Sequence, residues 1–508
     1  MNKKTLILIG FILLKFVLQY VLISPVYDLQ RDEYLHLDQA HHLAWGYLSV
    51  PPVTSWFSCL ILLLGNSVFW VKFFPALFGA LTLLVVWKTI ELLKGNFYAL
   101  ILGALSIVFS SLLSLNTLYQ PNSLDVLCWT LFYYILIQYI TSEKNNWLYL
   151  GAFVFAFGFL NKYNILFLLL GLIPAILLSN QRKILAKKEL YFALIMGFLF
   201  IVPNLLWQYR NHFPIVHHMK ELSETQLVNV ERAGFLKDQV LFFIGSFFVI
   251  LASLYALLFY KPFEKYRFFF GSMIFTLAIF LYFKAKGYYA IGLYPIYIAF
   301  GSVFLSEVLQ TGWKRFLKPV FIVLPLLFFC EMYRVSFPNK TPQEIIANPR
   351  LYKKLGMLRW EDGKDHQLPQ DFADMLGWKE LAHKTDSIYA LFPKTENTLV
   401  LCDNYGQAGA INYYTKKGIK AVSFNADYIN WFDLNLYYKN LIRVKNFEEN
   451  SDEFETTSPF FEKAFIGGQI TNKYAREYGT TIFVFTNAKV NINKRLEQEI
   501  AEEKNYKE

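Results

Sequence analysis

The chain has 508 residues, 55% hydrophobic and only 17% charged, with 49 Lys and Arg against 39 Asp and Glu and a formal net charge of +10. Soluble domains carry about 25% charged residues, so this composition excludes an ordinary soluble enzyme, a disordered chain and a disulfide scaffold. The cysteines, Cys59, Cys128, Cys330 and Cys402, show neither a zinc-ligand spacing nor a disulfide framework. No basic patch lies on a soluble module, which argues against nucleic acid as the partner of the positive charge.

In chain order, the basic start MNKKT precedes an apolar run over 6–23. The run has the shape of a signal peptide but no Ala-x-Ala cleavage pattern. About 20 residues at 1.5 Å each cross a layer of about 30 Å, which predicts a retained first span. Further apolar blocks lie at 68–90, 97–115, 123–141, 147–160, 164–179, 190–207, 238–260, 268–283, 289–305 and 316–333, giving about eleven spans. Segment 53–64 is too short to cross and suits a re-entrant or interfacial helix. The blocks 147–160 and 164–179 read as two short spans or one broken pair around Asn161-Lys162-Tyr163.

With the N-terminus inside, the inner segments collect fifteen basic residues, among them Lys88, Arg182, Lys188, Lys265 and Lys318, against five acidic ones. The positive-inside rule therefore predicts a cytoplasmic N-terminus and an outer tail. From about 339 the composition turns polar, with strands expected at 398–401 and 480–485 and a helix over 407–414. The expected architecture is an α-helical polytopic membrane protein with a soluble α/β domain. The boundaries are 1–338 for the membrane part and 339–508 for an outer, periplasmic domain.

Ionisable groups at membrane depth are costly and mark function, and here they gather on the expected outer side. A helix over 33–45 in the first outer loop makes Asp32 its N-cap; the alternative makes Asp32, with Glu33 beside it, a general base or cation ligand. Asp125 follows Pro121 at a helix start, where a carboxylate complements the helix dipole, yet it is followed at once by an apolar span. Lys162, Lys284 and Lys286 are either snorkelling span ends or cations for a lipid phosphate. His36 in the first loop and His217, His218 and Glu221 in a later one are candidate ligands for a divalent cation, without any HExxH-like spacing. The tail segment Asp403-Asn404-Tyr405-Gly406 is a binding turn or simply a strand-to-helix connection.

Taken together, several segments resemble the polyprenyl-phosphate-sugar-dependent glycosyltransferases of the GT-C class. More narrowly, they resemble the superfamily of dolichyl-phosphate-mannose–protein mannosyltransferases and bacterial aminoarabinose transferases (glycosyltransferase family 39-like). The segments are Asp32-Glu33, Trp45-Gly46-Tyr47 with Pro51-Pro52 and Trp56, the stretch from Val71 to Leu81, Gln120 to Asp125, Asn161-Lys162-Tyr163, Pro203 to Tyr209, and Lys286-Gly287-Tyr288-Tyr289-Ala290. The resemblance implies a GT-C fold of about 11–13 transmembrane helices. It also implies transfer of a sugar from a polyprenyl-phosphate carrier to a glycan, lipid or protein acceptor on the outer face, by inverting single displacement. It assigns the catalytic acidic positions to Asp32 and Asp125 and the donor phosphate to Lys286, with Lys162 as a looser match; Glu33 beside Asp32 and Arg210 on the outer side are further candidates for the catalytic and phosphate-binding sets. The aminoarabinose branch has Glu-Lys before its loop proline, whereas this chain has Ser49-Val50-Pro51. A lipid A acceptor is therefore not implied. A polytopic transporter and a non-catalytic membrane binding protein are the competing classes. The first predicts inverted repeats, which are absent, and the second leaves Asp32, Asp125 and Lys286 unexplained.

Overall fold

A computed structural model describes residues 2–393, 397–447 and 452–505. Helix α1 (Lys3–Val21) leads into a polar segment carrying α2 (Arg31–Asp38) and the apolar α3 (Val53–Leu63). There follow α4 (Val68–Leu92), α5 (Phe97–Val108), the one-turn α6 (Leu112–Leu115), α7 (Asn122–Ser142), α8 (Asn146–Asn161), α9 (Ile165–Leu177) and α10 (Lys188–Arg210). The bundle closes with α11 (Pro214–Thr225), α12 (Arg232–Leu241), α13 (Phe247–Phe259), α14 (Phe268–Tyr282), α15 (Tyr294–Val308) and α16 (Lys318–Val335).

Every expected apolar block is helical. Among the described residues, six helical segments are long and apolar enough to cross a membrane, or eight when each of two bent pairs is taken as one span. The bends have local causes. After α9 the chain turns by 111° into a 3-10 segment, and between α12 and α13 by 63°. The block 97–115 is interrupted at Ser110-Ser111, where the Ser110 hydroxyl turns back onto the Ile107 carbonyl and the Ser111 N–H goes to Phe242 instead of its own helix. Helix α5 has 12 residues, about 18 Å at 1.5 Å per residue, short of a hydrocarbon layer of about 30 Å. Helices α4, α7 and α15 are central and largely buried, whereas α1, α10 and α16 leave most of their apolar surface outward. In water such a surface would be unstable; facing lipid it is the expected arrangement.

The segment after α16 carries α17 (Pro342–Ala347), α18 (Arg350–Leu355), α19 (Gln370–Ala373) and α20 (Trp378–Tyr389). The sheet follows: β1 (Asn397–Cys402), α21 (Tyr405–Tyr414), β2 (Ala421–Ser423), β3 (Tyr438–Lys445), α22 (Glu453–Thr457), β4 (Phe461–Gln469), β5 (Thr481–Ala488) and α23 (Ile492–Asn505). The strand order is β2-β1-β3-β5-β4, with β1 parallel to β2 and β3, and β5 antiparallel to β3 and β4. Strand β1 is buried along almost its whole length, as a continuous apolar run flanked by parallel neighbours should be.

Candidate active site

The first loop departs from its expected form. The helix runs over Arg31–Asp38 and then tightens to a 3-10 turn at Gln39–His41, ending well before residue 45. Its N-cap is Gln30, not Asp32. The Gln30 side chain accepts from the Asp32 N–H at 2.9 Å, and the Glu33 carboxylate turns back to accept from the Gln30 N–H at 2.7 Å. This capping box satisfies the orphan donors of the first turn and leaves both Asp32 carboxylate oxygens to other partners. Tyr405, from the tail, donates its hydroxyl to one of them at 2.7 Å, and the Gln120 amide donates to the other at 3.2 Å.

Glu33 lies in a different environment. It is fully buried, and the Lys72 ammonium of α4 binds both its oxygens, at 2.7 and 2.8 Å. The Tyr119 N–H donates to the same carboxylate at 2.7 Å. With four hydrogen bonds from three donor groups on two oxygens, Glu33 ties α2 to α4 and to the segment that precedes α7. Lys72 stands inside an apolar span, a signal that sequence reading passed over.

Four consecutive residues between α8 and α9 connect the remaining parts. Asn161 donates to the Pro121 carbonyl at 2.9 Å, Lys162 to the Asn122 side chain at 2.6 Å, and Tyr163 to Asn204 of α10 at 3.0 Å. Asn164 donates both to the buried Asp125 carboxylate at 3.0 Å and to the Tyr289 carbonyl at 2.9 Å. The other Asp125 oxygen accepts from the Trp129 indole at 3.0 Å. The Lys162 ammonium also lies 4.7 Å from the centre of the Tyr289 ring and 5.3 Å from that of Tyr288. Burial lowers its pKa to about 8; the Asp125 charge opposes that shift and the Lys286 charge adds to it.

The expected residues are thereby joined. Lys162 donates to Asn122, Asn122 donates to Gln120 at 2.9 Å, Gln120 donates to Asp32, and Asp32 also accepts from Tyr405. The chain begins at a cation and ends at a carboxylate. Lys286 approaches from the α14–α15 connection and is committed to two partners, the Gln226 amide at 2.6 Å and the Glu361 carboxylate of the tail. Burial raises the Glu361 carboxyl, but the Lys286 charge and hydrogen bonds from Lys286 and Gln370 outweigh it and hold the group below the ordinary range. Asp371, one residue beyond Gln370, has Asp374, Asp32, Glu361 and Lys286 as charged neighbours; burial first, then the three acids, push it up to about 7.

The approach of the tail depends on small residues. A Cβ on Gly406 would meet Arg31 Cγ at 2.7 Å, and one on Gly409 would meet Tyr34 Cβ at 2.8 Å. These glycines let α21 lie directly on α2, with the Arg31 guanidinium 4.4 Å from the centre of the Tyr405 ring. The segment 403–406 is thus a strand-to-helix connection, with Asn404 capping α21, and it also delivers Tyr405 to Asp32.

No group of three or more His, Cys, Asp or Glu side chains that could hold a metal ion exists among the described residues. His36 is buried against Gln39, and burial holds its imidazole below the ordinary value. His217, His218 and Glu221 sit together on α11, where His218 has Glu221 and Lys286 as charged neighbours. The two sets lie on separate elements and do not form one site. Arg210 is exposed at the end of α10, with no hydrogen bond or ion pair among the described residues. Tyr405, Gln120, Gln226, Glu361 and Asp371 were missed as site residues, although Gln120 and Tyr405 stand in segments that the sequence singles out.

Residues 49–207 match the profile of the dolichyl-phosphate-mannose-protein mannosyltransferase family. The structure is similar to that of ArnT from Cupriavidus metallidurans bound to undecaprenyl phosphate, with a TM-score of 0.61 at 12% sequence identity, over 95% of this chain and 98% of that one. The apo state of the same protein gives a TM-score of 0.60 at 12% identity with equal coverage. No curated protein matches the chain by sequence. The fold is a GT-C, ArnT-like one, helical bundle and sheet-bearing tail included.

Proposed function

We propose that this GT-C-fold chain is a membrane glycosyltransferase that moves a sugar from a polyprenyl-phosphate carrier to a hydroxyl or amine acceptor, by inverting single displacement. The observation that carries the reading is the hydrogen-bond chain from the Lys162 ammonium through Asn122 and Gln120 to the Asp32 carboxylate. Its two ends, a carboxylate and a cation, support the pairing of a base with a phosphate-binding charge that this reaction needs. The family match over residues 49–207 and the undecaprenyl phosphate bound to the similar ArnT support a lipid-phosphate donor.

In this mechanism Asp32 accepts the acceptor's proton as its oxygen or nitrogen attacks the anomeric carbon. The new bond forms as the bond from that carbon to the carrier phosphate breaks, and the phosphate leaves with the electron pair. Lys162 and Lys286 offset the charge that develops on it. Tyr405 and Gln120 orient the base, Asp125 holds the Asn164 hub, and Glu33 acts as a positioning residue through Lys72. The tail-bearing face is the reactive one, and the lysine and arginine distribution supports its being the outer face of a bacterial inner membrane.

Mass spectrometry of lipid-linked sugars and of glycans tests the reading. Cells lacking the chain should accumulate one polyprenyl-phosphate sugar and lose one glycan modification. Wild-type protein should restore both. The Asp32→Asn variant should insert and unfold like wild type yet turn over at least about a hundredfold more slowly, the lower end of what a general base contributes. Near-normal turnover by the purified variant removes Asp32 from the chemistry; unchanged lipid-linked sugars and glycans remove the function.

A further inference from the structure

Helix α9 begins at the Asn164 hub and runs away from it, and α14 runs antiparallel beside it towards Lys286. The far ends of these two helices therefore lie on the side of the bundle opposite the candidate active site. A groove of about 780 Å³ opens there, within the roughly 300–1,000 Å³ of ligand sites. Its apolar lining includes Leu178, Ile274 and Phe275, and its charged lining is Lys261, Lys265 and Arg267 with one acidic residue, Glu264.

Leu178 is 80% exposed and Ile274 47% exposed, so this apolar lining has no protein cover. Arg267 faces Glu264 at 3.5 Å, but Lys261 and Lys265 have no carboxylate partner among the described residues. Lysines are ordinarily free at a water surface. Here two of them line a groove built from membrane-type helices. Amphiphilic complementarity commits the occupant: a negative headgroup at the lysines and hydrocarbon along the apolar lining.

We propose that this groove is a binding site for an anionic glycerophospholipid, its phosphate held by Lys261 and Lys265 and its acyl chain against Leu178, Ile274 and Phe275. The site is separate from the donor site and independent of which sugar is transferred. A lipid seated there packs against the ends of α9 and α14, whose other ends position Asn164 and Lys286.

The test uses the purified full-length protein in nanodiscs made with equal amounts of phosphatidylglycerol and phosphatidylcholine. A diazirine-bearing phosphatidylglycerol should label peptides spanning residues 174–181 and 261–275, and native mass spectrometry should show phosphatidylglycerol retained over phosphatidylcholine. The Lys261→Ala/Lys265→Ala variant, exposed enough to fold normally, should lose roughly thirtyfold in retention, given the attraction of two lysines to an anionic surface. Equal retention of the two lipids, labelling confined to other segments, or unchanged retention by the double variant overturns the proposal.

Discussion

At the scale of single residues, adjacent Asp32 and Glu33 play opposite parts because the capping box turns one outward and the other in. Glu33 and Lys72 form a buried ion pair, and such pairs are weak stabilisers overall but costly to break, because the remaining charge stays uncompensated. Lys72→Met should therefore lower stability by ~3–5 kcal/mol. The Glu33→Gln/Lys72→Met double variant should lose less, since it leaves no unpaired charge, although the single glutamine oxygen can accept from only one of the Gln30 and Tyr119 N–H groups, which meet different Glu33 oxygens. Thermal unfolding in detergent across the double-mutant cycle reads this directly. A double variant as unstable as Lys72→Met would show that the pair contributes more than mutual neutralisation.

At the scale of elements, the α8–α9 junction gathers the site. Asn161, Lys162 and Asn164 all reach the start of α7, Asn164 also reaches the Tyr289 carbonyl, and Tyr163 reaches α10, so the break between two short apolar helices becomes a fixed point. Asn164→Ala would leave an Asp125 oxygen and the Tyr289 carbonyl without this donor, at about 1–3 kcal/mol for each unsatisfied group. The variant should unfold at lower temperature and raise KM for the lipid donor, because Lys162 and the Tyr289 segment shift together; an unchanged KM would separate the hub from donor binding. Much of this was legible in advance. Asp125 and Lys162 stand out because apolar blocks make any charge conspicuous, and strands β1 and β5 stand out as apolar runs between turn residues. The helix start was misread because a glutamine rarely announces a cap, whereas an Asp-Glu pair does. What no local pattern reveals is a bond such as Tyr405 to Asp32, between residues 373 positions apart.

At the scale of the molecule, bundle and tail share the site rather than merely touching. The first loop is held along its length by the tail: Asp28 by Lys379 at 2.9 Å, Asp38 by Asn412 at 2.6 Å, Gln39 by Asp427 at 3.0 Å, and the His42 ring by Trp431 at 4.2 Å. Asp427 makes this docking sensitive to pH. It is 2% exposed and accepts from the Leu48 N–H as well as from Gln39. Burial pushes its carboxyl from the ordinary 3.8 up to about 6, against the pull of those two donors. Between those two values the folded chain binds a proton that the unfolded chain does not. The group's stabilising contribution is therefore greatest below the unfolded value and is lost as the pH rises through about 6. Other buried groups are shifted as well, among them His36, which burial lowers and which therefore acts with the opposite sign, so the comparison must isolate Asp427. Asp427→Asn keeps an acceptor for Leu48 and carries no charge at any pH. Its melting temperature minus that of the wild type should rise as the pH goes from 4.5 to 7.5, most steeply around pH 5, between the two values, and level off above about 6. A difference that stays constant across that range would mean that Asp427 titrates as it does in the unfolded chain, and that its burial in the docked interface does not penalise its charge.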